Sequence, residues 1–281
     1  MARDAAGDRD AFVERMRVQL QSRYGGSTVE VDQARYSLRI RAPGVDVAVP
    51  LAALHSACER EPARTAALIA DFVRSVEARL VPRPAEDMVS PARVLWCVRS
   101  TRYLEDLARH DELLIEPLGG DLVAFIAESL PGQVMRGVPR EEWEAAGMDV
   151  AAIRAAAGHN TQARFSRLRE RIATIDRVPA DGWRMSGDSL YQGSILMVPA
   201  LLGALVERSG GEILIGVPDR GLALVLPASL PAAETFGRRV LREWREAMNP
   251  CSREVLRSDG TTLRVLEHGR LRTSLLPWLR V

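Results

Sequence analysis

Residues 188–227 read DSLYQGSILMVPALLGALVERSGGEILIGVPDRGLALVLP, and this stretch decides the fold class. From Ser189 to Arg208 the residues Leu190, Ile195, Leu196, Val198, Leu201 and Leu205 leave almost no polar face, which predicts a largely buried helix. Asp188 or Ser189 offers a short side-chain oxygen to the unpaired amides of its first turn. Pro199 removes one ladder donor, so a kink is expected near Ile195. Ser209-Gly210-Gly211 ends the helix. Two apolar runs, Glu212 to Pro218 and Leu222 to Pro227, then flank Asp219-Arg220-Gly221, a turn whose glycine is free to take the left-handed position. The pattern predicts a hairpin whose strands are buried on both faces or lie at the centre of a sheet.

Upstream, Asp8 or Asp10 caps a first helix running to about Ser22, with Phe12, Met16 and Leu20 on one face. Tyr24-Gly25-Gly26 breaks it. Val29 and Val31, then Tyr36, Leu38 and Ile40, alternate with polar residues as half-buried strands do. Pro43-Gly44 turns the chain, the alternation resumes at Val45, and helices follow from Leu51 to Cys58 and from Pro62 to Leu80. The result is an expected α-β-β-α lobe over residues 1–81. Val81-Pro-Arg-Pro84 reads as a stiff, extended linker. Residues 82–281 then form an α+β domain, with a further boundary admissible near residue 175. In it, strands are expected at Arg93–Arg99, Leu113–Ile115 and Leu122–Ile126, and a short helix or turn at Arg102–Ala108. A helix opens at Pro139, and a second, capped by Asp149, runs to about Arg169. Trp183–Met185 reads as a strand, Ala232–Met248 as an amphipathic helix, and Glu254–Arg257 with Leu263–Leu266 as a closing hairpin. The fold class is α+β: small lobes of helices packed on short, mostly antiparallel sheets.

The 281 residues are numerous enough to bury roughly three quarters of the unfolded surface. A net charge of +1 gives no electrostatic argument for nucleic acid or an anionic membrane. The apolar run Ile195 to Val206 falls well short of the roughly twenty residues a bilayer requires. The polar start, residues 1–9, does not read as a signal peptide. Cys58, Cys97 and Cys251 are far apart and odd in number, which fits a reducing cytoplasm, and no metal or other cofactor is expected. All 38 basic residues are arginine. An Arg- and Ala-rich chain without lysine points to a GC-rich bacterial genome. It also excludes every chemistry that needs a lysine side chain: a P-loop, a kinase strand lysine, a pyridoxal Schiff base, an SxxK dyad.

Gly187-Asp188-Ser189-Leu190 spells the signature of the GDSL esterases, whose serine is a nucleophile. Here it sits late in the chain, and the one later histidine, His268, has Val265 where the family's aspartate belongs. A serine without a base is a weak nucleophile, so a glycine turn and a helix cap are the better reading. Acid pairs such as Glu141-Glu142 point about 100° apart on a helix and do not converge. Cys97 has Arg99 and Arg102 nearby, but its place in an apolar strand favours a buried, inert thiol. The Arg164-Arg167-Arg169-Arg171 cluster is of a type that meets phosphate, yet it has no aromatic stacking platform, and nucleic acid is disfavoured.

The order of motifs resembles the uncharacterised bacterial family DUF1444, also labelled UPF0354. The residues that carry the resemblance are Val89-Ser-Pro-Ala-Arg-Val-Leu95, Trp143 with Ala157-Gly-His-Asn160, and Val217-Pro218-Asp219-Arg220 followed by Leu222 and Leu224. The chain departs from the family at Thr161, where leucine is usual, and at Ser189-Leu190-Tyr191. The resemblance implies an α+β, cytoplasmic, bacterial protein and very little chemistry.

With no assembled catalytic motif, the expected function is that of a non-enzymatic interaction or adaptor protein with a protein partner and no membrane. The rival is a hydrolase or other small-molecule enzyme whose groups converge only in three dimensions. The binding candidates are Asp188, Asn160, Asp219 and Arg220, with Ser189 and His159 added under the enzyme reading. An apolar surface patch would favour the adaptor, and a polar pocket the rival.

Overall fold

A computed structural model describes residues 2–23, 27–42, 45–80, 89–105, 107, 110–130, 134–175, 178–267 and 270–275. The expected breaks at Tyr24–Gly26 and Pro43-Gly44, the linker from Val81 to Pro84, and His268 lie outside the described residues. The chain divides into two compact units: Met1–Asp87 with Asp106–Ala108, and Met88–Glu105 with Arg109–Val281. The α+β class is observed, and every strand pairing among the described residues is antiparallel.

In the N-terminal unit, α1 (Ala2–Arg23) precedes a three-stranded meander, β1 (Thr28–Asp32), β2 (Ser37–Ala42) and β3 (Val45–Pro50). Then come α2 (Ala52–Arg60) and α3 (Thr65–Leu80). Phe12, Met16 and Leu20 of α1 meet Leu38 and Ile40 of β2 and Val73 of α3 in one buried cluster. The period-four face of the helix and the period-two face of the strand close on each other. The alternation read from Val45 is β3 and the two helices read after it are α2 and α3, so the α-β-β-α shorthand for this lobe expands to three strands and two C-terminal helices. Pro62 opens a separate 3-10 turn ahead of α3.

Among its described residues the C-terminal unit holds two sheets. Strand β4 (Val94–Ser100) runs into α4 (Thr101–Glu105), followed by β5 (Ile115–Gly119), β6 (Leu122–Leu130) and β7 (Val134–Gly137). β6 is central, with β4 along one edge and β5 and β7 sharing the other. Next come α5 (Arg140–Ala145), α6 (Val150–Arg164) and α7 (Ser166–Ala173). The single helix expected to run to Arg169 is broken at Phe165, a buried ring that caps α6 and starts α7.

β8 (Trp183–Met185), α8 (Pro199–Ser209), β9 (Ile213–Asp219), β10 (Leu222–Pro227), α9 (Ala233–Glu246), β11 (Val255–Ser258), β12 (Thr262–Glu267) and β13 (Arg270–Leu275) complete the unit. The second sheet runs β13-β12-β11-β9-β10-β8, so the hairpin read from the sequence is central and buried on both faces. Gly216 admits α9 onto this sheet: a Cβ there would lie 2.4 Å from a Val240 methyl. The closing hairpin expected from the sequence gains a third strand, β13.

Three local expectations need correction. The apolar run 189–208 is not one kinked helix but a 3-10 segment, Gln192–Met197, followed by α8. Pro199 is the first residue of α8, where its missing N–H goes unused, and Val198 before it is forced out of the helical region. Gly221 does not take a left-handed conformation. It is needed for space instead, because a Cβ there would sit 3.2 Å from the Ser189 Cα. Finally, β5 begins where the expected strand Leu113–Ile115 ends, and Leu113 makes an isolated bridge to Pro139.

Candidate functional site

In the C-terminal unit, the end of α6, α7, β8 and the turn after β8 line a half-open cavity of about 470 Å³. Helical spacing builds one wall. Arg164, Arg167 and Arg171 stand at i, i+3 and i+7, with Leu168, Ile172 and Ile175 interleaved at i, i+4 and i+7. Strand alternation builds the facing wall, where Trp183 and Met185 are buried and Arg184 between them is exposed.

The turn Ser186–Gln192 closes the cavity, and Asp188 organises it. Its Oδ1 accepts hydrogen bonds from the amides of Leu190 (3.0 Å) and Tyr191 (2.8 Å). Its Oδ2 accepts from Arg164, forming an ion pair. Burial alone would push the Asp188 carboxyl up, but the hydrogen bonds from Arg164 and from the two amides outweigh it and hold the carboxyl below its ordinary value. The Arg164 guanidinium also lies over the Tyr191 ring, 4.7 Å from its centroid.

Beneath the turn lies Arg99 of β4, only 2% exposed. Its Nη2 donates to the Leu190 carbonyl and its Nη1 to the Val98 carbonyl, both at 2.7 Å, and it faces the Tyr103 ring at 5.4 Å. No carboxylate pairs with it among the described residues. A buried cation of this kind is tolerated when carbonyl dipoles and a π face replace its water, and here it fixes the turn from inside.

The charge balance of the cavity is one-sided. Arg164 is answered by Asp188, and Arg184 by Glu243 at 2.7 Å. Arg167 and Arg171 meet no carboxylate among the described residues. Two residues of the lining also carry buried donors without partners among the described residues. Gln192 accepts from the Asp188 amide through Oε1 (3.1 Å), but its Nε2 has no partner, and neither has the Trp183 Nε1. A buried donor of this kind ordinarily meets an acceptor from the protein, an ordered water or a ligand.

Of the residues singled out from sequence, Asp188 lies in this site. The hairpin tip reaches the same turn, through the packing of Gly221 on Ser189. Asp219 shapes that tip, accepting from the amides of Gly221 (2.7 Å) and Asn249 (2.8 Å), and the Arg220 amide donates to the Asn249 carbonyl (3.1 Å). Asn160 serves elsewhere, donating through Nδ2 to the carbonyls of Pro91 (2.7 Å) and Val94 (2.8 Å). With Thr161 accepting from the Trp96 amide (2.9 Å) and Ser194 from the Val98 amide (3.2 Å), it covers the open edge of β4. His159 is exposed on α6. Arg164, Arg167 and Arg171 belong to the cluster weighed from sequence for phosphate and set aside with nucleic acid, whereas Trp183 and Gln192 are site residues the sequence reading does not single out. The i, i+3, i+7 spacing of the arginines, with apolar residues interleaved, was the available signal.

The cysteines are buried thiols. Burial pushes Cys97 up, and Cys251 to about 12, so neither is a nucleophile at neutral pH. In the N-terminal unit, Asp8, His55 and Glu59 bring one donor atom each within 4.8 Å of one another. There His55 is buried, stacks on Phe12 with ring centroids 4.4 Å apart, and bonds the Tyr36 hydroxyl through Nδ1 at 2.7 Å, the contacts of a packing residue.

Comparison with family models, curated proteins and solved structures returns no match for this chain. The described residues include no helix long and apolar enough to cross a membrane.

Proposed function

We propose that the chain is a non-enzymatic binding protein whose C-terminal unit recognises an anionic group on its partner through the arginine-lined cavity. The observation that carries this reading is the pair Arg167 and Arg171, two cations at a cavity without carboxylate partners among the described residues. Like charges one helical turn apart repel each other, and an anionic ligand relieves that repulsion. Chemistry is less well served. The one carboxylate of the described lining is engaged by Arg164 and two amides, which leaves it a poor general base. A broad apolar docking face is also poorly supported: among the described residues, Val18 and Met248 are the large apolar side chains that stand exposed. Kinship with DUF1444 and a cytoplasmic location, suggested by the motif order and the three unpaired thiols, belong to the same proposal.

The test is a thermal-shift series with citrate, inorganic phosphate and an acidic peptide. A ligand at a hundred times its Kd stabilises by about 2.7 kcal/mol. The expected result is stabilisation that weakens with salt and vanishes in an Arg167→Gln/Arg171→Gln variant. Hydrolysis of a nitrophenyl ester that disappears in Ser189→Ala would instead support the hydrolase.

A further inference from the structure

We infer that the cavity takes an amphiphilic anion of a defined kind: a carboxylate attached to an apolar body that also carries a hydrogen-bond acceptor. This rests on the binding reading above and names the ligand class. The lining is stratified. Arg167 and Arg171 are exposed, while Phe165, Ile172, Trp183 and Met185 are each at least nine-tenths buried. A charge is costly to desolvate, so the ligand's charge belongs at the exposed guanidinium pair. The interior takes apolar surface, and its volume lies within the usual range for small-ligand pockets. Gln192 Nε2 and Trp183 Nε1 are neutral donors buried in that lining without partners among the described residues. They are matched by a neutral acceptor such as an amide carbonyl.

An N-acyl amino acid with an apolar side chain has all three parts, and so does the end of a peptide chain whose last residue is apolar. The shared unit is acyl-NH-CHR-COO⁻, with R apolar. Its carboxylate meets the arginine pair, R fills the interior, and the acyl carbonyl accepts from Trp183 or Gln192.

Isothermal titration of the full chain separates the sources. The probes are N-acetylphenylalanine, a neutral pentapeptide ending in phenylalanine with a free carboxylate, the same peptide amidated, and inorganic phosphate. The expected result is binding of one or both carboxylate probes and at least tenfold weaker binding of the amidated peptide. A tighter pentapeptide identifies a chain end as the ligand, and a tighter N-acetylphenylalanine identifies the free acid. Arg167→Gln/Arg171→Gln, on an exposed helix face, should cost at least tenfold. Trp183→Phe, which removes one donor and keeps most of the apolar ring, should cost about fivefold, the worth of one hydrogen bond. Equal binding of the amidated peptide, or carboxylate binding that survives the double substitution, overturns the inference. Arginine-dependent binding of phosphate without either carboxylate probe overturns it while sparing the anion-binding reading. Binding of none of the four overturns the inference, and a flat thermal-shift series beside it removes the anion-binding reading as well.

Discussion

Two groups of arginines in the C-terminal unit show what a neighbouring carboxylate decides. On the first sheet, Arg93 and Arg136 converge on Glu128, which is fully buried, at 3.0 and 2.9 Å, and Arg136 also holds Glu142 at 2.6 Å. There the guanidinium groups neutralise an acid inside the fold, and their role is structural. On α7, Arg167 and Arg171 have the same chemistry and no such partner among the described residues. Both line the rim of the cavity and are exposed. The difference teaches that composition alone does not tell an arginine paired within the fold from one left open to a ligand. The presence or absence of a nearby acid does.

That contrast breaks most visibly at Glu128. Glu128→Ala removes the buried partner of Arg93 and Arg136, which are partly exposed, and should destabilise the fold by about 2–3 kcal/mol in a denaturant titration. A loss below about 1 kcal/mol would remove the structural half of the comparison. Asn160→Ala uncovers the carbonyls of Pro91 and Val94 and should cost about 1–3 kcal/mol, read the same way. Asp188→Asn should cost about 1 kcal/mol and change the acid limb of stability. Because the folded carboxyl is held below its ordinary value, its contribution is complete above the unfolded pKa of about 3.9. It is lost as pH falls through the lower folded value, so the variant should lose less stability than the parent between neutral pH and strong acid. The smallest effect belongs to Arg167→Gln/Arg171→Gln. Its stability should stay within about 0.5 kcal/mol of the parent, with a slight gain from relieved repulsion, while anion binding is lost. A large loss of stability there would move α7 to the structural side.

The sequence made the fold more legible than the site. Periodicity located α1, the meander and the β9–β10 hairpin, because apolar residues at period four or two leave few alternatives for Met16, Leu38 or Leu224. It misjudged 189–208, since an all-apolar run does not distinguish a 3-10 segment from an α-helix, and the position of Pro199 within the helix is settled by packing. Asp188 was readable as a cap. Its ion pair with Arg164 was not, because partners 24 residues apart meet only through the path of α7 and β8. Trp183 and Gln192 looked like ordinary residues of a strand and an apolar helix. Their unanswered N–H groups exist only in three dimensions. Asn160 stood out for its type, and its two bonds to β4 explain it without a ligand.

Gly221 gives the cavity a remote adjustment. Its Cα hydrogen faces Ser189 where a methyl would be crowded by both the Cα and the carbonyl oxygen, at 3.2 and 3.3 Å. A larger side chain there presses the turn that carries Asp188, which has to give by a few tenths of an ångström. On the binding reading proposed above, ligand preference is open to drift through a residue outside the lining, and selection for a new occupant has a route that leaves every lining side chain in place.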